Sequence, residues 1–285
     1  MAPERLSRNV RAPGLAEDSE TGPELRGAAF FDLDRTLIEG SSALHFGRAA
    51  YKRGMLTRRG LARGVWANLR FRLQGSTDEK TEELRQGILD SIAGQRVIDL
   101  QRLGPDVLAG ILPLLYKQVL DEAWAHQDAG RLAYIITAAS HELAEVLAAV
   151  LVLDGGIGMR SAVRDGVYTG EPDGPFTYRE GKAEAIRELA RREGIDLAAS
   201  YAYSDSESDL PMMRAVGHPV AVNPDAALCA VARDEGWRIM RFDRLGPMLK
   251  IGGAVLAVGL VGGGGGYAAA RVRRPRPSWG RRRRA

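Results

Sequence analysis

The chain has 285 residues, 45% of them hydrophobic and 27% charged, which is enough apolar material for a sizeable core and excludes an intrinsically disordered chain. Its net charge of +4 is local: eight arginines and no acid stand in the last fifteen residues, leaving 32 basic against 36 acidic groups in the first 270, so specific nucleic-acid binding is not expected of the folded part. A single cysteine, Cys229, excludes an internal disulfide and a multi-cysteine metal site and points to a reducing, cytoplasmic setting.

Residues 1–26 hold Pro3, Pro13, Pro23 and scattered charge without an apolar run, which predicts a flexible leader and no secretory signal. A strand is expected over 27–34, where the unbroken apolar run with Phe30 and Phe31 implies burial on both faces and a parallel sheet. From Ser41 to about Gly130 the apolar spacing turns helical, over 43–51, 61–73, 81–92 and 106–125, with no convincing strand. A strand over 132–137 and a helix over 141–153 capped by Ser140 follow. Asp165-Gly166 reads as the turn of a hairpin joining 157–164 to 167–168. Helices over 182–192, 210–215 and 225–235 then alternate with strands over 201–204 and 219–222, and the last core element falls near 237–242.

These elements define an α/β fold class: a Rossmann-like parallel-sheet core, 27–42 and 126–248, interrupted after its first strand by an all-helical cap, 43–125. An uncharged Gly-rich segment, 249–270, precedes the Arg-rich tail, 271–285. The stretch 251–270 has the length of a membrane span, but eight of its twenty residues are glycine. A flexible linker and a membrane-associated segment are both open readings, and the arginines suit an anionic membrane surface.

In open α/β sheets ligands bind beyond the carboxyl ends of the strands. Four sets of residues fall there or nearby: Asp32 and Asp34 after the first strand, Thr137 after the next core strand, Lys182 at the start of a helix, and Asp205 and Asp209 after the strand at 201–204. The set suits phosphoryl transfer, which needs a nucleophile and groups that neutralise charge on the transferring phosphoryl. Asp32 could attack phosphorus, while Asp34 protonates the leaving oxygen and then activates water. Asp32 and Asp205 could hold Mg²⁺. Thr137 would donate to a phosphoryl oxygen, and Lys182 would neutralise the charge shared by Asp32 and the phosphate. A lysine opening a helix is electrostatically misplaced, which favours a functional role.

The ordered pattern Asp32-x-Asp34-x-Thr36, Thr137, Lys182 and Asp205-Ser206-x-x-Asp209 resembles the four motifs of the haloacid dehalogenase superfamily. The helical insertion resembles the cap of its phosphoserine-phosphatase-like branch, subfamily IB. The resemblance, over roughly 27–248, implies a phosphomonoester hydrolase with an aspartyl-phosphate intermediate. It also implies Mg²⁺ bound by Asp32, the Asp34 carbonyl and Asp205, with Asp209 supporting the site. A small phosphorylated metabolite or lipid head group is the implied substrate. A phosphotransferase using the same intermediate, and a non-enzymatic regulatory or membrane-surface binding protein, are the competing classes.

The pattern departs from phosphoserine phosphatases in one place: where a glutamate for the substrate ammonium is expected, this chain has Ser41-Ser42, with Glu39 nearer the first motif. Arg35 stands where relatives often carry a small residue, either facing solvent or extending toward an acidic substrate. His45, His126, His141 and His218 show no metal-ligand spacing and are expected in packing or solvent-facing roles. Cys229 is expected to be an inert core thiol. Arg53, Arg58, Arg59, Arg63, Arg70 and Arg72 surround Trp66 and Phe71, forming either a solvated helix face or a basic face toward an anionic substrate.

Overall fold

A computed structural model describes residues 26–57 and 78–242. Residues 1–240 form one unit, and of the C-terminal unit, 241–285, only Arg241 and Phe242 are described. The expected leader, the helix over 61–73 with most of the arginines around it, and the segments after 249 lie outside the described residues.

Six parallel strands make the central sheet: β1 (Ala28–Asp32), β2 (Leu132–Ser140), β3 (Gly155–Met159), β6 (Tyr201–Ser204), β7 (His218–Val222) and β8 (Arg238–Met240). Their order is β3-β2-β1-β6-β7-β8. Every residue of β1 is buried, which is why its sequence is a continuous apolar run instead of an alternating one. Phe30 stacks on Tyr134 at 5.9 Å within a cluster that also holds Ile186, Leu189, Met212, Met213 and Leu228. Its neighbour Phe31, which points to the opposite face, stacks on Tyr203 at 4.4 Å and meets the His126 ring edge-on.

Helices cover the sheet. Between β1 and β2 every described element is helical: α1 (Ser42–Lys52), α2 (Asp78–Ile92), α3 (Val97–Gln101), α4 (Gly104–Ile111), a 3-10 turn (Leu112–Leu114) and α5 (Lys117–Asp128). The single helix expected over 106–125 is thus two. Pro113 sits inside the 3-10 turn, where its missing N–H and fixed φ end α4. The second piece, α5, packs on β1 and β2, so the helical stretch assigned to the cap contains a helix of the sheet layer.

After β2 come α6 (His141–Val150), α7 (Glu180–Glu193), α8 (Leu210–Arg214) and α9 (Ala226–Asp234). Ser140 caps α6 as expected, accepting from the Leu143 N–H at 3.4 Å. The expected strand over 157–164 is two strands: β3 joins the main sheet, while β4 (Ser161–Arg164) pairs antiparallel with β5 (Val167–Pro172). Asp165 and Gly166 make the hairpin turn with φ of 52° and 76°, both left-handed, as a tight two-residue turn requires. Glycine is required in β3 for a different reason, since a Cβ on Gly156 would overlap the Ala144 carbonyl of α6. The hairpin braces the helical region: the Gly94 N–H donates to the Tyr168 carbonyl at 2.9 Å, and the Tyr168 N–H returns a bond to Gln95 at 3.0 Å.

Candidate active site

The chain leaves β1 for β2 and β3 on one side and later returns to β6, β7 and β8 on the other, so β1 is the topological switch point whose carboxyl end opens a crevice. Register fixes what gathers there. Asp32 pairs with Ile136, one residue before Thr137, and Phe31 pairs with Tyr203, two residues before Asp205.

Lys182 enters from the first turn of α7 and is 3% exposed. Its ammonium donates to Asp32 Oδ1 at 2.5 Å and to Asp209 Oδ2 at 2.7 Å. Ser204 Oγ also donates to Asp209 Oδ2, at 2.7 Å. Asp205 is buried, with its Oδ2 2.9 Å from the half-exposed Arg35 guanidinium. Arg35 itself is left-handed, φ 66°, a conformation that costs a non-glycine residue energy. Asp225 supports this loop, donating its N–H to the Asp205 carbonyl at 2.8 Å and accepting from the Glu207 N–H at 3.1 Å.

Asp34 turns toward the start of α1. Its Oδ1 accepts from the Ser42 N–H at 2.8 Å and its Oδ2 from Ser41 Oγ at 3.0 Å. Thr137 is 3% exposed, and its hydroxyl oxygen accepts from the Ala139 N–H at 3.1 Å, which leaves the hydroxyl proton for donation. The structure therefore brings Asp32, Lys182 and Asp209 into direct contact, with Asp205 and Asp34 just past strand ends and Thr137 level with the end of β1 but inside β2, which runs on to Ser140 instead of ending at 137. Ser204, Asp225 and the pairing of Arg35 with Asp205 are additions. Ser204 and Asp225 carried a usable signal, since each stands at or just after the carboxyl end of a core strand.

Burial pushes the Asp32 carboxyl up to about 7; Lys182 opposes this, and Asp209 and Asp34 add to it. Burial likewise drives Asp205 well above the usual carboxylate range, with Arg35 pulling it back. Lys182 is held protonated: burial opposes its charge, but Asp209 and Asp32 outweigh that and raise it above an ordinary lysine. The site is thus short of positive charge for the carboxylates it buries.

A hard cation fits this donor set. Asp209 Oδ1 is buried without a hydrogen bond and Asp205 Oδ2 has only its ion pair with Arg35, and all the acidic side chains offered are oxygen donors, suited to Mg²⁺ and not to a soft metal. Among the described residues no group of three or more His, Cys, Asp or Glu side chains is arranged as a metal cage.

The haloacid dehalogenase-like hydrolase family matches residues 29–214, a span that contains all six site residues. The chain belongs to the haloacid dehalogenase-like hydrolases. A phosphoserine phosphatase of Mycobacterium tuberculosis is 38% identical over 260 residues, covering 90% of this chain and 84% of that protein. A histidinol-phosphatase of Neisseria meningitidis is 27% identical over 233 residues, covering 76% of this chain and all of that one. A crystal structure of a protein of unknown function from Bordetella pertussis superposes with a TM-score of 0.67 at 27% identity, over 76% of this chain and 99% of that one. This member of the family is a phosphatase, with the Rossmann-like parallel core of its structural relatives.

Proposed function

We propose that the chain is a Mg²⁺-dependent phosphomonoester hydrolase working through an aspartyl-phosphate on Asp32. The observation that carries this reading is the buried bridge from Lys182 to Asp32 and Asp209 at the carboxyl end of β1. A lysine so buried has little structural reason to be there, because an apolar replacement for a buried ion pair is often as stable.

Asp32 is the nucleophile. Its carboxylate oxygen bonds to phosphorus as the ester P–O bond breaks, and the leaving oxygen takes a proton from Asp34. Water then attacks the acyl phosphate, gives its proton back to Asp34, and restores the Asp32 carboxylate with release of phosphate. Lys182 neutralises the charge that Asp32 and the phosphoryl oxygens share, and the Thr137 hydroxyl proton donates to a phosphoryl oxygen. Asp32, Asp205 and the Asp34 backbone carbonyl would hold Mg²⁺, with Asp209 supporting them. When bound, the ion supplies charge neutralisation at the phosphoryl group.

Phosphoserine is not expected to be the best ester. Ser41 and Ser42, which stand where the ammonium-binding glutamate is expected, spend a hydroxyl and an amide on Asp34. The single cysteine and the Arg-rich tail suit an enzyme that works in the cytoplasm, at or near an anionic membrane surface. Steady-state turnover of an aryl phosphate tests the core of the proposal. Hydrolysis is expected with Mg²⁺, lost on chelation, and lost in a folded Asp32→Asn variant; comparable activity in that variant rules out the covalent route. Across a panel of esters, a tenfold kcat/KM advantage for phosphoserine over every other member contradicts the specificity argument.

A further inference from the structure

Arg35 is held at one end and free at the other. Its backbone sits in a turn that the Leu33 carbonyl closes twice, accepting from the Leu37 and Ile38 N–H groups, each at 3.0 Å. Leu33, Thr36, Leu37 and Ile38 are all buried, so the left-handed φ of 66° at residue 35 is imposed by its neighbours. Glycine would adopt that conformation without cost, and an arginine there needs a reason beyond the turn. The side chain supplies one. It is 44% exposed, yet its guanidinium lies 2.9 Å from the carboxylate of Asp205, a side chain only 4% exposed.

Among the described residues Arg35 is the cation paired with Asp205. Lys182 gives its bonds to Asp32 and Asp209, and Asp205 Oδ2 has its ion pair with Arg35 and no hydrogen bond. Burial and the carboxylates of Asp32, Asp209 and Asp225 work against charge on Asp205, and Arg35 works for it. A guanidinium does not give up its proton in a protein. This counter-charge is therefore withdrawn only by moving the arm into solvent, where nearly half of it already stands.

Asp205 is also a carboxylate that the phosphatase reading above gives to Mg²⁺. Two cations sharing one buried carboxylate repel far more strongly than they would in water, whereas a guanidinium that swings out regains its hydration. We propose that Arg35 is a tethered counter-cation that competes with Mg²⁺ for Asp205, leaving the carboxylate when the ion binds and returning when it is lost. This rests on the Mg²⁺-dependent phosphatase reading and adds to it the residue that sets how much Mg²⁺ the site needs to load. An arginine that instead aimed Asp205 at the metal would aid binding, so the two roles have opposite signs.

The test is a Mg²⁺ titration of the full chain without substrate, read as the rise in melting temperature with free Mg²⁺. Arg35→Gln removes the charge and keeps a long side chain. Arg35→Gly also relieves the left-handed backbone, which guards against a variant that fails to fold. Both are expected to bind Mg²⁺ at least about threefold more tightly than the parent. Arg160→Gln removes an exposed arginine whose contact is His141 and not a site carboxylate, and its affinity should stay close to that of the parent. Weaker binding, or a smaller gain, in either folded Arg35 variant overturns the proposal, and so does an equal gain in Arg160→Gln. A parent chain whose melting temperature does not respond to Mg²⁺ overturns the metal reading and this inference with it; a parent that responds, with Arg35 variants that bind no more tightly, overturns the competition alone.

Discussion

As the proposed nucleophile Asp32 has to be anionic in a place that resists charge, and Lys182 is what makes this tolerable. Burial raises Asp32 to about 7, and without its ammonium partner the carboxylate would hold its proton still more tightly. Lys182→Met should therefore cost about 3–5 kcal/mol, because it leaves Asp32 and Asp209 buried and unpaired. The sign of the pH dependence follows from the direction of the shift. A carboxyl raised in the folded state favours folding when protonated, so its unfavourable contribution grows as pH rises from the unfolded value of 3.8 through about 7. Chemical denaturation of the metal-free variant should show a larger penalty at pH 8 than at pH 5, and a pH-independent penalty would contradict the electrostatic assignment. At this scale the sequence was informative where chemistry is ordered along the chain. Asp32, Lys182, Asp205 and Asp209 stand at strand ends or a helix start, positions that can be read without coordinates, whereas Thr137 lies inside β2, where a register shift carries the strand on past the end that its apolar run suggests. Arg35 could not be read that way: its pairing with Asp205 depends on a left-handed backbone at residue 35 and on a contact across 170 residues.

Among the elements, α5 does more than close the sheet. His126, from its last turn, is 5% exposed and sits in a chain of polar contacts. Arg131 donates to its Nδ1 at 2.7 Å, so Nε2 carries the proton and donates to the Tyr203 hydroxyl at 2.8 Å. Tyr203 donates to Glu122 at 3.1 Å, and Arg238 holds Glu122 at 2.6 and 2.9 Å. Burial, then Arg131, lower His126 to about 4 from 6.5. A histidine lowered in the fold contributes stability above its unfolded value that is lost as pH falls from 6.5 toward 4, on the order of 3 kcal/mol at most. Denaturation midpoints should fall across that window, and His126→Gln should flatten the limb; an unchanged slope in the variant refutes the neutral-imidazole account. Element types were readable from periodicity, and breaks were not. The run over 157–164 reads as one strand because apolar alternation does not register that the chain leaves the main sheet after Met159. The split of 106–125 did carry a signal, Pro113, which periodicity alone overrides.

At the level of the whole molecule, the proposed catalytic groups run from Asp32 to Asp209, and the sheet ends with Met240. Removing residues 251–285 should leave kcat/KM for an aryl phosphate within about twofold, since the six candidate site residues and the buried core among the described residues all lie before them. The eight arginines can each add about 1 kcal/mol of attraction to an anionic surface, less with salt. The full chain should therefore co-sediment with anionic vesicles at low salt and the truncated chain should not; equal partitioning rules out a tail-driven role. The central claim, a phosphoryl group carried on Asp32, is open to direct observation. Asp32 and Asp34 lie together between Arg26 and Arg35, so trypsin releases them in one peptide whose fragment ions tell the two apart. Acid-quenching the enzyme during turnover and sequencing that peptide by mass spectrometry should place one phosphoryl group on Asp32. A phosphoryl group on Asp34, or none on this peptide while phosphate is being released, would contradict the mechanism.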